Sequence, residues 1–79
     1  MPKALSGKQV ISILIKHFGF HVVSQKGSHV KLKKFQQHSD IITVVPAHRQ
    51  LASGTLRGVL KLAQIPYEEF YPYMTGKKR

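Results

Sequence analysis

The chain has no cysteine, no tryptophan and only three acidic residues. Without cysteine there is no disulfide, iron–sulfur cluster or thiolate zinc site. The acids are Asp40 and the adjacent pair Glu68 and Glu69. That set supplies neither two spaced carboxylates for a glycosidase-type hydrolase nor a carboxylate cluster for magnesium. No two of the five histidines lie on one helix or strand at ligand spacing, so neither a metal site nor a cofactor is expected. Long apolar runs are missing too. The nearest is Ile41 to Val45, interrupted by Thr43. Nothing approaches the ~20 apolar residues of a bilayer span, nor the shorter apolar core of a signal peptide. A cytoplasmic protein is the expectation.

What is present in excess is positive charge. Thirteen Lys and Arg against three acids give +10 over 79 residues. Such a charge opposes compaction unless a polyanion is bound. The default partners are nucleic acid, an anionic membrane surface or an acidic protein. A membrane surface is disfavoured, because the basic residues are spread through strands and loops and the first helix has few on its polar face. The length allows a single domain, 1–79, with a core over about 5–71 and a frayed basic tail at 75–79. A core of this size supplies only ~3–5 kcal/mol of net stability, so most apolar residues must be inside.

Hydrophobic spacing predicts a helix from Gly7 to Phe18. Val10, Ile13, Leu14 and Phe18 form one stripe. Ser6 and Gln9 have the spacing of a capping box, and Gly19 suits the left-handed stop. Two strands follow, over about Phe20–Gln25 and His29–Lys34. In the second, Val30 and Leu32 point inward, while His29, Lys31 and Lys33 point outward. Directly opposed residues share a face, so Val22 should pair with Leu32. That parity favours a three-residue turn, Lys26-Gly27-Ser28, over a two-residue one, and puts His21 and Gln25 on the open face. Ile41 to Val45 reads as a third strand, apolar on both faces, with Pro46 ending its pairing. Ser53 is expected to cap a second helix from Gly54 to Gln64, buried along Leu56, Val59, Leu60 and Ala63, and Tyr67 to Tyr71 to add one more turn. The class is α+β in the order αβββα. A three-stranded antiparallel sheet carries both helices on one face and leaves the other open.

The open face holds the candidate chemistry. Cleaving RNA through its own 2′-hydroxyl needs a base for that hydroxyl and cations for the charge that builds on phosphate. His29 is the candidate base. It follows Gly27 and Ser28 and stands among Lys26, Lys31 and Lys33. A base must be unprotonated when it acts. On spacing alone, an ordinary exposed strand histidine is the alternative. His48, after the third strand, could help hold a phosphate or be a solvated loop residue. Gly54, Thr55 and Arg57 open the second helix, whose N-terminus could take a phosphate or simply be capped. Phe35 and the tyrosines could stack bases.

Several fragments in order carry a further signal. They are Ser6-Gly7, Gly19-Phe20, Gln25-Lys26-Gly27-Ser28-His29, Thr43-Val44-Val45-Pro46-Ala47-His48, Gly54-Thr55-Leu56-Arg57 and Glu68-Glu69-Phe70. With them the chain resembles the HicA-type (YcfA-like) mRNA interferase toxins of toxin–antitoxin modules, over about Leu5 to Phe70. The resemblance implies a fold like a double-stranded-RNA-binding domain. It also implies an endoribonuclease cleaving mRNA with His29, and a HicB-like antitoxin that binds and blocks it. Lys26, Gly27, Ser28, Lys31, Lys33 and Arg57 are the residues expected to hold RNA. Gln64 departs from the family pattern, which has glycine at that helix end. The competing reading is a non-catalytic module that binds structured RNA through a basic sheet face.

Overall fold

The computed structural model describes residues 4–74; the tail expected to fray, 75–79, lies outside the described residues. Six elements follow one another: α1 (Gly7–Phe18), β1 (His21–Lys26), β2 (His29–Lys34), β3 (Ile41–Pro46), α2 (Ser53–Ala63) and α3 (Tyr67–Met74). The strands form one antiparallel sheet in the order β1-β2-β3. The expected αβββα order holds, with a third helix longer than the single turn predicted.

Helix α1 starts where the capping box predicts. Ser6 Oγ accepts from the Gln9 amide, and Gln9 Oε1 accepts from the Ser6 amide. It stops at Gly19, which takes the left-handed conformation at φ 79°. Val10 and Leu14 from α1, Phe20, Val30 and Leu32, Val45, and Leu56, Val59, Leu60 and Ala63 from α2 make one buried cluster, completed by Phe70 of α3. No helix among the described residues is long and apolar enough to cross a membrane.

The hairpin corrects the expected turn. Lys26 pairs with His29, so only Gly27 and Ser28 form the loop. Gly27 has φ +59°, and Ser28 is not in the positive-φ region. Positive φ at the first central residue alone is the sign pattern of a type II′ turn, whose twist suits a hairpin. Parity is restored by a bulge instead. Val22 pairs with Leu32, yet Ser24 pairs with Lys31, which leaves Val23 as the extra residue. The rule that apolar residues share a face therefore held; the extra residue moved from the turn into the strand. One consequence is that Gln25, opposite Val30, lies on the helix side and not on the open face. Ser24 and Lys26 take the outward positions.

Two further expectations change. Pro46 does not end the β2–β3 ladder. It pairs with His29, and the Ala47 amide still donates to the Ser28 carbonyl at 2.6 Å. The proline tolerates this because β3 is an edge strand and its missing N–H faces away from β2. Ser53 is the first helical residue of α2, not its cap; Ala52 holds the cap position and makes no side-chain bond there.

Gln64 ends α2 in the left-handed region at φ 60° and is the one non-glycine residue with positive φ among those described. A Cβ in that conformation costs roughly 1–2 kcal/mol. Gln64→Gly should therefore stabilise the fold by about 1 kcal/mol, less whatever glycine adds to the entropy of the unfolded chain. In a domain this size that raises the melting temperature by about 4–8 °C, measurable by circular dichroism. An unchanged or lower midpoint would show that Gln64 carries no such strain.

Candidate nucleic-acid interface

The open sheet face is assembled from three strands by register. Across it, Lys26, His29 and Pro46 form one row, Ser24, Lys31 and Val44 the next, and His21, Lys33 and Ile42 the third. The three helices pack beneath, on the side of Val30, Leu32 and Val45. The alternation of β2 is visible in its burial: Val30 and Leu32 are buried, while His29 and Lys31 are exposed and Lys33 half-buried. His29 thus stands in solvent on the face it shares with Lys31 and Lys33. All six residues of β1 are exposed, because the helix layer lies over β3 and does not reach this edge. Even Val22, which points to the helix side, remains 48% exposed.

Charge on this face is nearly unopposed. Among the described residues Lys26 and Lys31 have no acidic partner, and Lys33 has a single one, Asp40, at 3.8 Å. Glu68 and Glu69 sit in the first turn of α3, in the helix layer. The third row ends in aromatic character. The exposed Phe35 ring lies 5.7 Å from the His21 ring, and the Lys33 ammonium is 5.7 Å from its centroid.

The turn that presents His29 is braced on both sides. Gln25 Nε2 donates to the Gly27 carbonyl at 3.0 Å. The Ser28 carbonyl accepts from Ala47. Ser28 Oγ lies 3.3 Å from His48 Nε2, a hydrogen bond between residues twenty apart in the chain. His48 is itself anchored, since its carbonyl accepts from the Gly7 amide at 2.8 Å. Sequence spacing alone left His48 as a loop residue with an open role. Nothing local signals its pairing with Ser28, because the contact exists only once β3 runs alongside the turn.

Not every predicted residue joins this group. Lys26, Gly27, Ser28, His29, Lys31 and Lys33 come together at the hairpin and along β2. Arg57 does not. It lies on α2 in the helix layer, its guanidinium stacked 4.4 Å over the Tyr67 ring. Gly54 and Thr55 belong to the same layer. Ser24 joins the outward face unforeseen, carried there by the bulge.

A basic, open β-sheet face backed by helices defines a small α+β protein. Residues 7–65 of the 79 match the family described as HicA toxin of bacterial toxin–antitoxin, and the chain belongs to that family. Membership implies an antitoxin partner. No curated protein and no solved structure matches the chain.

Proposed function

We propose that this toxin is an endoribonuclease that cleaves mRNA in the cytoplasm and is blocked by a HicB-like antitoxin. The observation that carries the reading is the position of His29. It is an exposed imidazole at the end of a braced two-residue turn, at the head of a row of lysines on an open face. His29 takes the proton of the ribose 2′-hydroxyl, and the oxygen attacks the adjacent phosphorus. Lys26 and Lys31 neutralise the charge that develops on the non-bridging oxygens. Free amides at the Gly27–Ser28 turn and the Ser28 hydroxyl help hold the phosphate, and Lys33 holds the backbone further along β2. This route passes through the RNA's own hydroxyl and needs no metal, so cleavage should persist in excess EDTA.

Purified toxin, freed of antitoxin, should cut RNA, and its affinity should fall with salt. Neutralising ~4–6 phosphates of a single strand gives a log K against log salt slope near −3 to −4. Fluorescence anisotropy with a labelled, uncleavable 2′-O-methyl RNA measures it. A flat response between low and physiological ionic strength would remove the electrostatic part of the reading. Tight, salt-dependent binding without any cleavage would favour the non-catalytic RNA-binding module.

A further inference from the structure

We infer that His48 is a second catalytic residue, the acid that protonates the departing 5′-oxygen. The inference rests on the ribonuclease reading above and supplies the proton donor that reading lacks. The 2′-hydroxyl route has two proton transfers. One leaves the nucleophile, and the other must reach the leaving oxygen as the phosphorus–oxygen bond breaks, because an alkoxide is a poor leaving group. His29 accounts for the first. An ammonium holds its proton too tightly to be an efficient donor at neutral pH, whereas imidazole is suited to both directions.

The structure places one other histidine at the turn. His48 Nε2 lies 3.3 Å from the hydroxyl of Ser28, the residue that immediately precedes His29. Three features of the fold bring it there. Pro46 pairs with His29 across the sheet. Ala47 follows with its amide on the Ser28 carbonyl and its side chain against the core. His48 is the second residue past the end of β3, which sets it beside the Gly27–Ser28 turn. The backbone at His48 is fixed in turn by the Gly7 amide. The ring is exposed, so it is open to substrate while held by one hydrogen bond that a substrate oxygen can replace.

The atoms balance without any co-reactant. His29 receives the 2′-hydroxyl proton and becomes imidazolium. The 2′-oxygen forms a bond to phosphorus, and the bond from phosphorus to the 5′-oxygen breaks. His48, entering as imidazolium, gives its Nε2 proton to that oxygen and ends neutral. The products are a 2′,3′-cyclic phosphate and a free 5′-hydroxyl, and water returns the proton from His29 to His48. Ser28 is a positioning residue here: its hydroxyl holds Nε2 in place until RNA seats.

The test compares two leaving groups at one linkage. An RNA oligonucleotide is mapped for a linkage that wild-type toxin cuts. A second copy is then made with sulfur in place of the bridging 5′-oxygen at that linkage. A thiolate departs without protonation, so the sulfur substrate needs the base but not the acid. His48→Ala should slow the oxygen substrate by ~10²–10⁴ and the sulfur substrate by less than about tenfold. His48→Gln, which can still bond to Ser28 Oγ but donates no proton at neutral pH, should behave the same way. His29→Ala should slow both substrates alike. Equal losses on the two substrates for both His48 variants, or no loss on either, would overturn the assignment of His48 and leave His29 standing. If His29→Ala cuts both as wild type does, the ribonuclease reading of His29 fails, and this inference with it.

Discussion

His29→Ala is expected to abolish RNA cleavage and relieve toxicity while leaving the fold, RNA affinity and antitoxin binding close to wild type. The loss follows from the role of the base: without it, the rate should fall ~10²–10⁴-fold. The selectivity follows from where the residue sits. His29 is exposed on the open face and contributes nothing to the buried cluster. Substitutions at such positions usually change stability within ~0.5 kcal/mol. The charge that would draw RNA in comes from lysines and arginines and is untouched. Expression of wild type and variant side by side, scored for growth and for total RNA integrity, gives the cellular readout. Anisotropy with an uncleavable RNA gives the binding readout. A folded alanine variant that still cuts RNA at the wild-type rate would end the case for His29 as the base.

Gly7→Ala should have the opposite character, unfolding the protein or nearly so without touching a charged group. Gly7 is the first residue of α1 and is buried. A Cβ there would land on the Pro46 carbonyl oxygen and within 2.8 Å of Ala47 Cα. Both are backbone atoms, so no rotamer change relieves the clash. Either α1 or the end of β3 must move, and with it the Gly7 amide bond to the His48 carbonyl. Overpacking at less constrained sites costs about 1–3 kcal/mol. Moving two backbones should exceed that, against a net stability of only ~3–5 kcal/mol for a core this small. The midpoint should drop by more than ~10 °C. Gly58→Ala is the matched control. It lies inside α2, and nothing stands within 4 Å of its added Cβ. Replacing a helical glycine should stabilise by about 0.5–1 kcal/mol. If Gly7→Ala melts like wild type, α1 and the 46–47 segment do not approach as closely as described.

The two substitutions probe different levels of legibility. His29, Lys31 and Lys33 could be assigned to one exposed face from the residues alone, because β2 alternates cleanly and period-2 alternation is a property of a single strand. The α1 boundaries were equally plain. Ser6, Gln9 and Gly19 act within a turn or two of themselves, so their meaning does not wait on the rest of the chain. The role of Gly7 was invisible by the same standard. Its neighbours are Pro46 and Ala47, which no local pattern connects to it.

The net charge, the class of fold, the stripe of α2 and the exposure of His29 were all short-range or summed properties, and these the amino-acid order carries openly. Three decisions belonged to the tertiary structure. Either a three-residue turn or a two-residue turn with a bulge satisfies the demand that Val22 face the same side as Leu32; the folded hairpin took the second and thereby exchanged Gln25 for Ser24 and Lys26 on the open face. In β3 both faces are apolar, so parity could not choose between them. The odd set is buried, with Thr43 fully enclosed and its hydroxyl donating to the Val59 carbonyl of α2 at 2.8 Å. That bond lets a polar side chain enter the core without an unpaired group. The meeting of Ser28 with His48 was the third, and it required β3 to lie beside the turn. Each depended on a partner distant in the chain, and residue spacing is silent about a partner until the fold delivers it.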